Sequence, residues 1–538
     1  MKPRLPLVPV MTAAVAAATF ALYLATVAPG ITWSSLGADG GDLLSAAFTW
    51  GIPHPSGYPT YLLALRAFAT LVPIGEPAFR GNLMSATSAA LASALVFVAA
   101  ARVALAVSRY AAAGMPGARP VARWVPVGAA TIAALGAGAA REFWSQATIT
   151  EVYALNAFFF AVILAGSAAL LVRESPGRRD RWIVAGLAFA LGVGLGNHLT
   201  LALAGGPLVA FAVLRWWNRN GRGARNLVLA VAPFAVGLAV YLYAPIASIQ
   251  RPPVNWGHPH TPQGFWWMVS GSIYRDYAFG IETRLLPGRI ATWADFFLSQ
   301  YSLVGLWLAL AGLYVLGQRF RRFALYTVVA VLLVSLYAVG YNTPDSYLYL
   351  IPAFLVFAVW IASGITWAAA AVHAYVAARW HVAWPAVAVV VVLLAVAAAI
   401  PGFSLYSNLA RLNLRNDHGA QEFARGAFES AGPDSVILAS DTERVFALWY
   451  QAYVAEPAAN IAVVSVPHLQ FDWYWDDLRR QFPERVPEVP PAGFNARVDA
   501  LIGHNLGARP IFAATRMELL DRYTLTPKGV IFDIGGLR

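Results

Sequence analysis

Gly37-Ala-Asp-Gly-Gly-Asp-Leu-Leu-Ser-Ala-Ala-Phe-Thr-Trp-Gly-Ile-Pro-His-Pro-Ser-Gly-Tyr-Pro59 is the stretch on which the reading of this chain turns. It lies between two apolar runs, Leu5–Ala28 and 83–107. Each exceeds the roughly twenty residues that a helix needs to cross a bilayer. Lys2 and Arg4 precede the first run, as in a signal sequence, but its length and Pro29 favour a retained anchor. Further runs fall at 121–140, 152–172, 182–196, 199–214, 226–247, 298–317, 323–341, 350–373 and 382–400, an expected eleven transmembrane helices. The predicted fold class is therefore a polytopic α-helical membrane protein.

Composition agrees. Of 538 residues, 59% are hydrophobic and 12% charged, with a mean hydropathy of +0.58, whereas soluble chains carry about a quarter charged residues. The absence of cysteine excludes disulfides, zinc-thiolate and iron–sulfur sites, a cysteine nucleophile and lipid attached to cysteine. The net charge of +11 does not point to nucleic acid, because it resolves into topology. Residues 1–401 hold 25 basic and 11 acidic side chains, and 402–538 hold 13 and 16. With the N-terminus in the cytoplasm, Lys2, Arg4, Arg102, Arg109, Arg119, Arg123, the Arg173–Arg181 and Arg215–Arg225 groups, Arg319, Arg321, Arg322 and Arg379 all fall inside. That is the positive-inside pattern. Most acidic residues sort to the other face, which is the expected working face. The localisation that follows is an integral protein of a bacterial inner membrane.

Two outer segments exceed turn length. Residues 29–82 contain helix-like stretches Asp42–Trp50 and Thr60–Leu71, expected to lie along the membrane surface. Residues 248–297 are rich in Trp, Tyr and Pro, as suits an interface. Past Pro401 the apolar runs shorten. Ser435–Ser440, Ile461–Val466 and Pro510–Ala514 read as buried strands, with helical patterns at 443–453 and 472–482. This divides the chain into a membrane domain, 1–401, and an extracytoplasmic α/β domain, 402–538.

Within the opening stretch, Asp39 and Asp42 are three residues apart at a helix start, so their carboxylates share one face. They are either a capping pair or a chemical one. Gly40 and Gly41 permit close approach of a ligand to the backbone. His54 stands between two prolines, held in a rigid turn. Glu151 and Asn156 sit at the outer end of a span, either as helix-capping and interhelical hydrogen-bonding groups or as site residues; His198, between two short apolar runs, is either a re-entrant polar contact near a lipid phosphate or an interhelical hydrogen bond. His258-Pro-His260 offers only two ligands, so no metal is expected there. Gly192-Val-Gly-Leu-Gly196 follows no strand and reads as close helix packing.

The opening stretch resembles the D-x-G-[DE]-L…HP-x-GYP signature of a multi-spanning GT-C glycosyltransferase family, protein O-mannosyltransferase-like, formerly catalogued as a domain of unknown function. Further matches follow in order: Arg80-Gly-Asn-Leu-Met-Ser85, Trp144-Ser-Gln146 with Glu151-Val-Tyr-Ala-Leu-Asn156, Gly196-Asn-His198, Tyr241-Leu-Tyr-Ala-Pro245, Asn255-Trp-Gly257, and Asn342 with Asp345. The resemblance covers about residues 10–350. It departs just after Pro245, where many bacterial relatives carry an arginine and this chain has Ile246 and Ala247, so a phosphate role at that place is kept here only if Arg251 substitutes.

The resemblance implies transfer of a sugar, mannose, from a polyprenyl phosphate to a hydroxyl outside the membrane, such as Ser or Thr of a secreted protein. The acceptor could equally be a lipid or a glycan. Inverting transfer needs one carboxylate base, and the leaving phosphate needs positive charge or N–H donors rather than a proton. Asp39 or Asp42 supplies the base, with Asp39 preferred at the helix entry. Arg80, Arg141, His54, His198 and Arg251 are the candidates for the phosphate. Tyr58, Glu151, Asn156, Asn255, Trp256 and Asp345 are carried over as substrate-binding. No cofactor or metal is expected. A flippase or transporter is the main rival, but no expected span holds an Asp or Glu. A non-catalytic assembly protein fits the clustered carboxylates and histidines less well.

Overall fold

The computed structural model describes residues 7–113, 120–171, 179–221, 223–380 and 383–538. Lys2, Arg4, Arg119, Arg173, Arg178 and Arg222 lie outside the described residues. Each of the eleven expected spans is occupied by a helix. Eight of these are long and apolar enough to cross a bilayer; Trp124–Gly138, Asp180–Leu195 and Leu201–Asn220 fall short of that measure. The chain is an integral membrane protein.

The helices sort by what covers them. Ile351–Trp380 runs through the centre, almost wholly buried against Leu286–Arg319, Pro77–Ala113 and Trp124–Gly138. Lipid tails are as apolar as leucine, so such contacts rest on close packing of small residues. Gly312 and Gly364 show this: a Cβ on Gly312 would overlap the Trp360 carbonyl, and one on Gly364 the Leu308 carbonyl. Gly192 and Gly237 pack Asp180–Leu195 against Ala224–Leu238 in the same way, as expected for the glycine run. Leu7–Thr26 leaves most of its apolar surface open, as a lipid-facing helix does.

The C-terminal region carries a five-stranded sheet in the order β2-β1-β3-β5-β4. β1 (Val436–Ala439) pairs in parallel with β2 (Ala462–Ser465) and β3 (Ile511–Ala513), all three fully buried. These are the three expected strands. The antiparallel hairpin β4 (Tyr523–Lys528) and β5 (Ile531–Leu537) extends the sheet beyond β3. Sequence reading passed over it because β4 is half exposed and carries Pro527, which an edge strand tolerates.

This region sits over the first long loop. Thr32 donates to Asp417 (2.6 Å), the Trp33 indole to the Glu443 carbonyl (3.0 Å), and the Ala78 amide to the Tyr450 hydroxyl (3.4 Å). The two helix-like stretches of the loop form helices Gly40–Thr49 and Pro59–Leu71. The first is not a surface helix, contrary to expectation: every residue from Gly40 to Ala47 is buried. Its cover is the Thr442–Tyr450 helix of the C-terminal region.

Candidate active site

The Gly40–Thr49 helix starts beneath that cover because of its glycines. A Cβ on Gly41 would overlap the Phe446 carbonyl, and Gly40 lies against Thr150. The glycines thus admit protein backbone, not a ligand as the sequence suggested. The packing sets the depth of both aspartates.

Asp42 is fully buried and fully occupied. Its Oδ2 accepts from the His54 amide (2.8 Å) and from His54 Nδ1 (2.7 Å), and its Oδ1 from the Trp256 indole (3.3 Å). Asp39 stands at the N-cap position, yet its side chain makes no capping bond, which removes the capping alternative. Its carboxylate is 41% accessible and lies 3.5 Å from His54 Nε2. His54 therefore bridges an interior carboxylate and an open one.

The second loop reaches the site through a short parallel bridge. Ile52 donates to Val254 (2.8 Å) and Trp256 donates back to Ile52 (3.2 Å), which delivers the Trp256 indole to Asp42. Phe446 stacks over His54 with ring centres 6.1 Å apart, and His468 meets the Trp256 ring edge-on at 4.2 Å. Tyr58 packs on both His54 (5.0 Å) and His198 (6.2 Å). His198 Nδ1 pairs with Thr200 Oγ1 (2.7 Å), and its ring faces Tyr153 and Tyr349. Tyr153 OH donates to Asp345 at 3.5 Å. Arg289 fastens the segment carrying Asp345, donating to the carbonyls of Ala338 and Tyr341 (both 2.8 Å) and to Ser346 (2.7 Å).

Electrostatics follow from burial in an acidic, aromatic surround. The Asp39 side chain stays partly accessible, yet the protein around it desolvates the carboxyl. Desolvation raises its pKa against the opposing pull of His54, and Asp42 and Asp345 add to the rise. Burial pushes Glu151 well above the usual carboxylate range, helped by Asp39. Burial alone would lower His54, but Asp39 and Asp42 outweigh it and hold the imidazole above its ordinary value. His198 goes the other way, to about 4, through burial and then the neighbouring His54. The two histidines that flank Tyr58 are thus shifted in opposite directions.

Eight of the sequence-predicted residues converge here: Asp39, Asp42, His54, Tyr58, Glu151, His198, Trp256 and Asp345. The others do not. The Arg80 guanidinium donates to the carbonyls of Gly75 (2.9 Å) and Ala69 (3.3 Å), closing its own loop. Arg141 faces Glu142 at 3.5 Å. Asn156 is buried within the Val152–Leu171 helix, and Arg251 and Asn255 line a separate cleft. Tyr153, Tyr349 and Phe446 were missed. Tyr153 lay inside the quoted Glu151–Asn156 motif; Phe446 carries no local signal.

Residues 39–223 match the family described as the protein O-mannosyl-transferase TMEM260 N-terminal domain. Protein O-mannosyl-transferase TMEM260 of Mus musculus is 29% identical over 255 residues, 46% of this chain and 32% of that protein. The chain thus spans about a third of the length of the curated relative it matches. Among solved structures, ArnT from Cupriavidus metallidurans bound to undecaprenyl phosphate aligns over 98% of this chain and 99% of its own, with a TM-score of 0.55 and 14% identity. Its apo state aligns over the same shares, at 14% identity, with a TM-score of 0.48. The fold is GT-C.

Proposed function

We propose that this GT-C chain is an inverting glycosyltransferase that moves a sugar from a polyprenyl phosphate to a hydroxyl acceptor on the extracytoplasmic face. The observation that carries the reading is the pair of unlike aspartates: Asp39 open and uncapped, Asp42 buried and saturated by His54 and Trp256. Mannose as the sugar and a protein Ser or Thr as the acceptor follow from the likeness to a protein O-mannosyl-transferase. The undecaprenyl phosphate named for the structural neighbour supports a polyprenyl carrier.

In this reading Asp39 is the general base. The acceptor O–H hydrogen-bonds to Asp39, its oxygen attacks the anomeric carbon, and the proton passes to the carboxylate. The bond from that carbon to the phosphate oxygen breaks, and its electron pair leaves with the phosphate. A raised pKa suits the base, since proton transfer works best when the base titrates closer to the working pH. Asp42 does not touch the acceptor; it positions His54, whose charge steadies the ionised Asp39. Carboxylate-base chemistry of this kind requires no divalent ion, so transfer should survive chelation.

The test is incubation of the purified protein with a panel of polyprenyl-phosphate sugars and Ser/Thr peptides, read by mass spectrometry. Addition of one hexose to a peptide is the expected result. Failure with every donor, by protein that is folded and monodisperse, would reject the assignment. Protease added to intact right-side-out cells should cut within 402–538; cutting only after lysis would reverse the orientation.

A further inference from the structure

Beside Asn255, the neighbour of Trp256 in the chain, a cleft of about 600 Å³ opens between the second long loop and the C-terminal region. Its lining is basic: three arginines, Arg251 from the loop and Arg479 and Arg480 from the Asp472–Gln481 helix, with the imidazoles of His258 and His260 between them. Asp476 is the one acid in the lining, on the exposed rim. The buried Asp477 organises two of these side chains, accepting from His258 Nε2 (2.9 Å) and Arg480 (2.7 Å). His260 leans on Ser248 (3.0 Å), and partial desolvation with the fields of His258 and Arg251 holds it below the usual histidine range.

Two groups in this lining lack partners. Asn255 is 3% exposed, and neither its amide nitrogen nor its amide oxygen has a hydrogen-bond partner. One terminal nitrogen of Arg479 is buried and equally unpaired, while the other reaches only the exposed Glu488 at 3.5 Å. A buried amide left in this state costs about 1–3 kcal/mol, and a guanidinium nitrogen more. Such a site is built for something that both accepts and donates. Arginine forks match phosphate oxygens in geometry and charge. A phosphate monoester, with a second pKa near 6, also keeps a P–OH part of the time. That hydroxyl can donate to the Asn255 oxygen while other phosphate oxygens accept from its amide and from the arginines.

We propose that this cleft binds a phosphate monoester, borne by a polyprenyl chain or by a water-soluble molecule. A water-soluble source takes the site beyond the transfer reading, and a lipid source rests on that reading, whose carrier it shares. The cleft is a place for the phosphate apart from the acid cluster, one residue along the chain from the tryptophan that holds Asp42.

The test uses the full chain in detergent and radiolabelled inorganic phosphate, measured by equilibrium dialysis. Wild-type protein should retain phosphate, and Arg251→Gln and Arg479→Gln should each weaken retention about tenfold, one charge-assisted hydrogen bond apiece. Arg251 is exposed, so its substitution leaves folding intact. Displacement of the label by a polyprenyl monophosphate but not by the neutral polyprenol would assign the lipid as source. Displacement by glycerol phosphate but not by polyprenyl monophosphate would assign a soluble source. No retention, or equal retention by wild type and both variants, would overturn the site. Asp39→Asn should retain phosphate like wild type, so the two proposals fail separately.

Discussion

Asn255 and Trp256 are neighbours in the chain but belong to two opposite environments. Trp256 closes a pocket of carboxylates, tyrosines and histidines that holds no arginine contact to Asp39 or Asp42 among the described residues. Asn255 faces a cleft with three arginines. The separation teaches how a carboxylate stays available. An arginine at salt-bridge range would pull the pKa of Asp39 down and occupy its oxygens. Here the basic group in contact with both aspartates is the His54 imidazole, and three guanidinium groups line the neighbouring cleft instead.

Substitutions can break that contrast in order of effect. Asp39→Asn keeps the shape of the open carboxylate and loses its basicity, so turnover should fall by about a hundredfold or more in a folded protein. Wild-type turnover would remove Asp39 from the chemistry. Asp42→Asn should cost less, about ten- to a hundredfold in turnover, because it weakens a charge-assisted bond to His54 without touching the acceptor. The acceptor KM should stay near wild type, and equal damage from both substitutions would erase the distinction between base and positioning group.

Stability against pH is the third lever. His54 has a folded pKa above that of the unfolded chain, so its contribution is complete below about 6.5 and is lost as pH rises through the folded value. The raised carboxyls of Asp39 and Glu151 act in the same direction, from the ordinary carboxylate range upward. Thermal unfolding of wild type and His54→Gln, followed from pH 6 to 9, isolates the imidazole. Wild type should lose about 1.4 kcal/mol for each unit by which the pKa is raised, and the variant should not show that component. Parallel curves would mean that folding leaves the His54 pKa unshifted. The smallest effect belongs to Arg80→Ala. Its guanidinium holds two loop carbonyls, so the expected loss is about 0.5–1.5 kcal/mol of stability per bond, with donor KM unchanged. A raised donor KM would return Arg80 to the phosphate.

Sequence reached the spans because lipid imposes a single long-range demand, an apolar helix of sufficient length, which hydropathy reads directly. It reached the first-loop residues because a motif concentrates them within twenty-odd positions. What it could not reach was depth. Asp39 and Asp42 look alike in sequence, and it takes His54 and Trp256, the latter over two hundred residues away, to saturate the second and leave the first open. Arg80 and Arg251 likewise looked interchangeable as phosphate ligands until loop carbonyls claimed the first. The β4–β5 hairpin escaped because its pattern is that of an exposed edge rather than a buried run.

The meeting of Gly41 with the Phe446 carbonyl ties together points some four hundred residues apart. Such a contact is set late in biogenesis. When the first helices have left the ribosome and entered the membrane, the segment that will roof Asp39 has not been synthesised. The nascent protein therefore passes through a stage in which its carboxylates are open to water and its future lid does not exist. Catalytic competence would arrive as one of the last acts of assembly, with a long loop to close and the entropy of that closure to overcome.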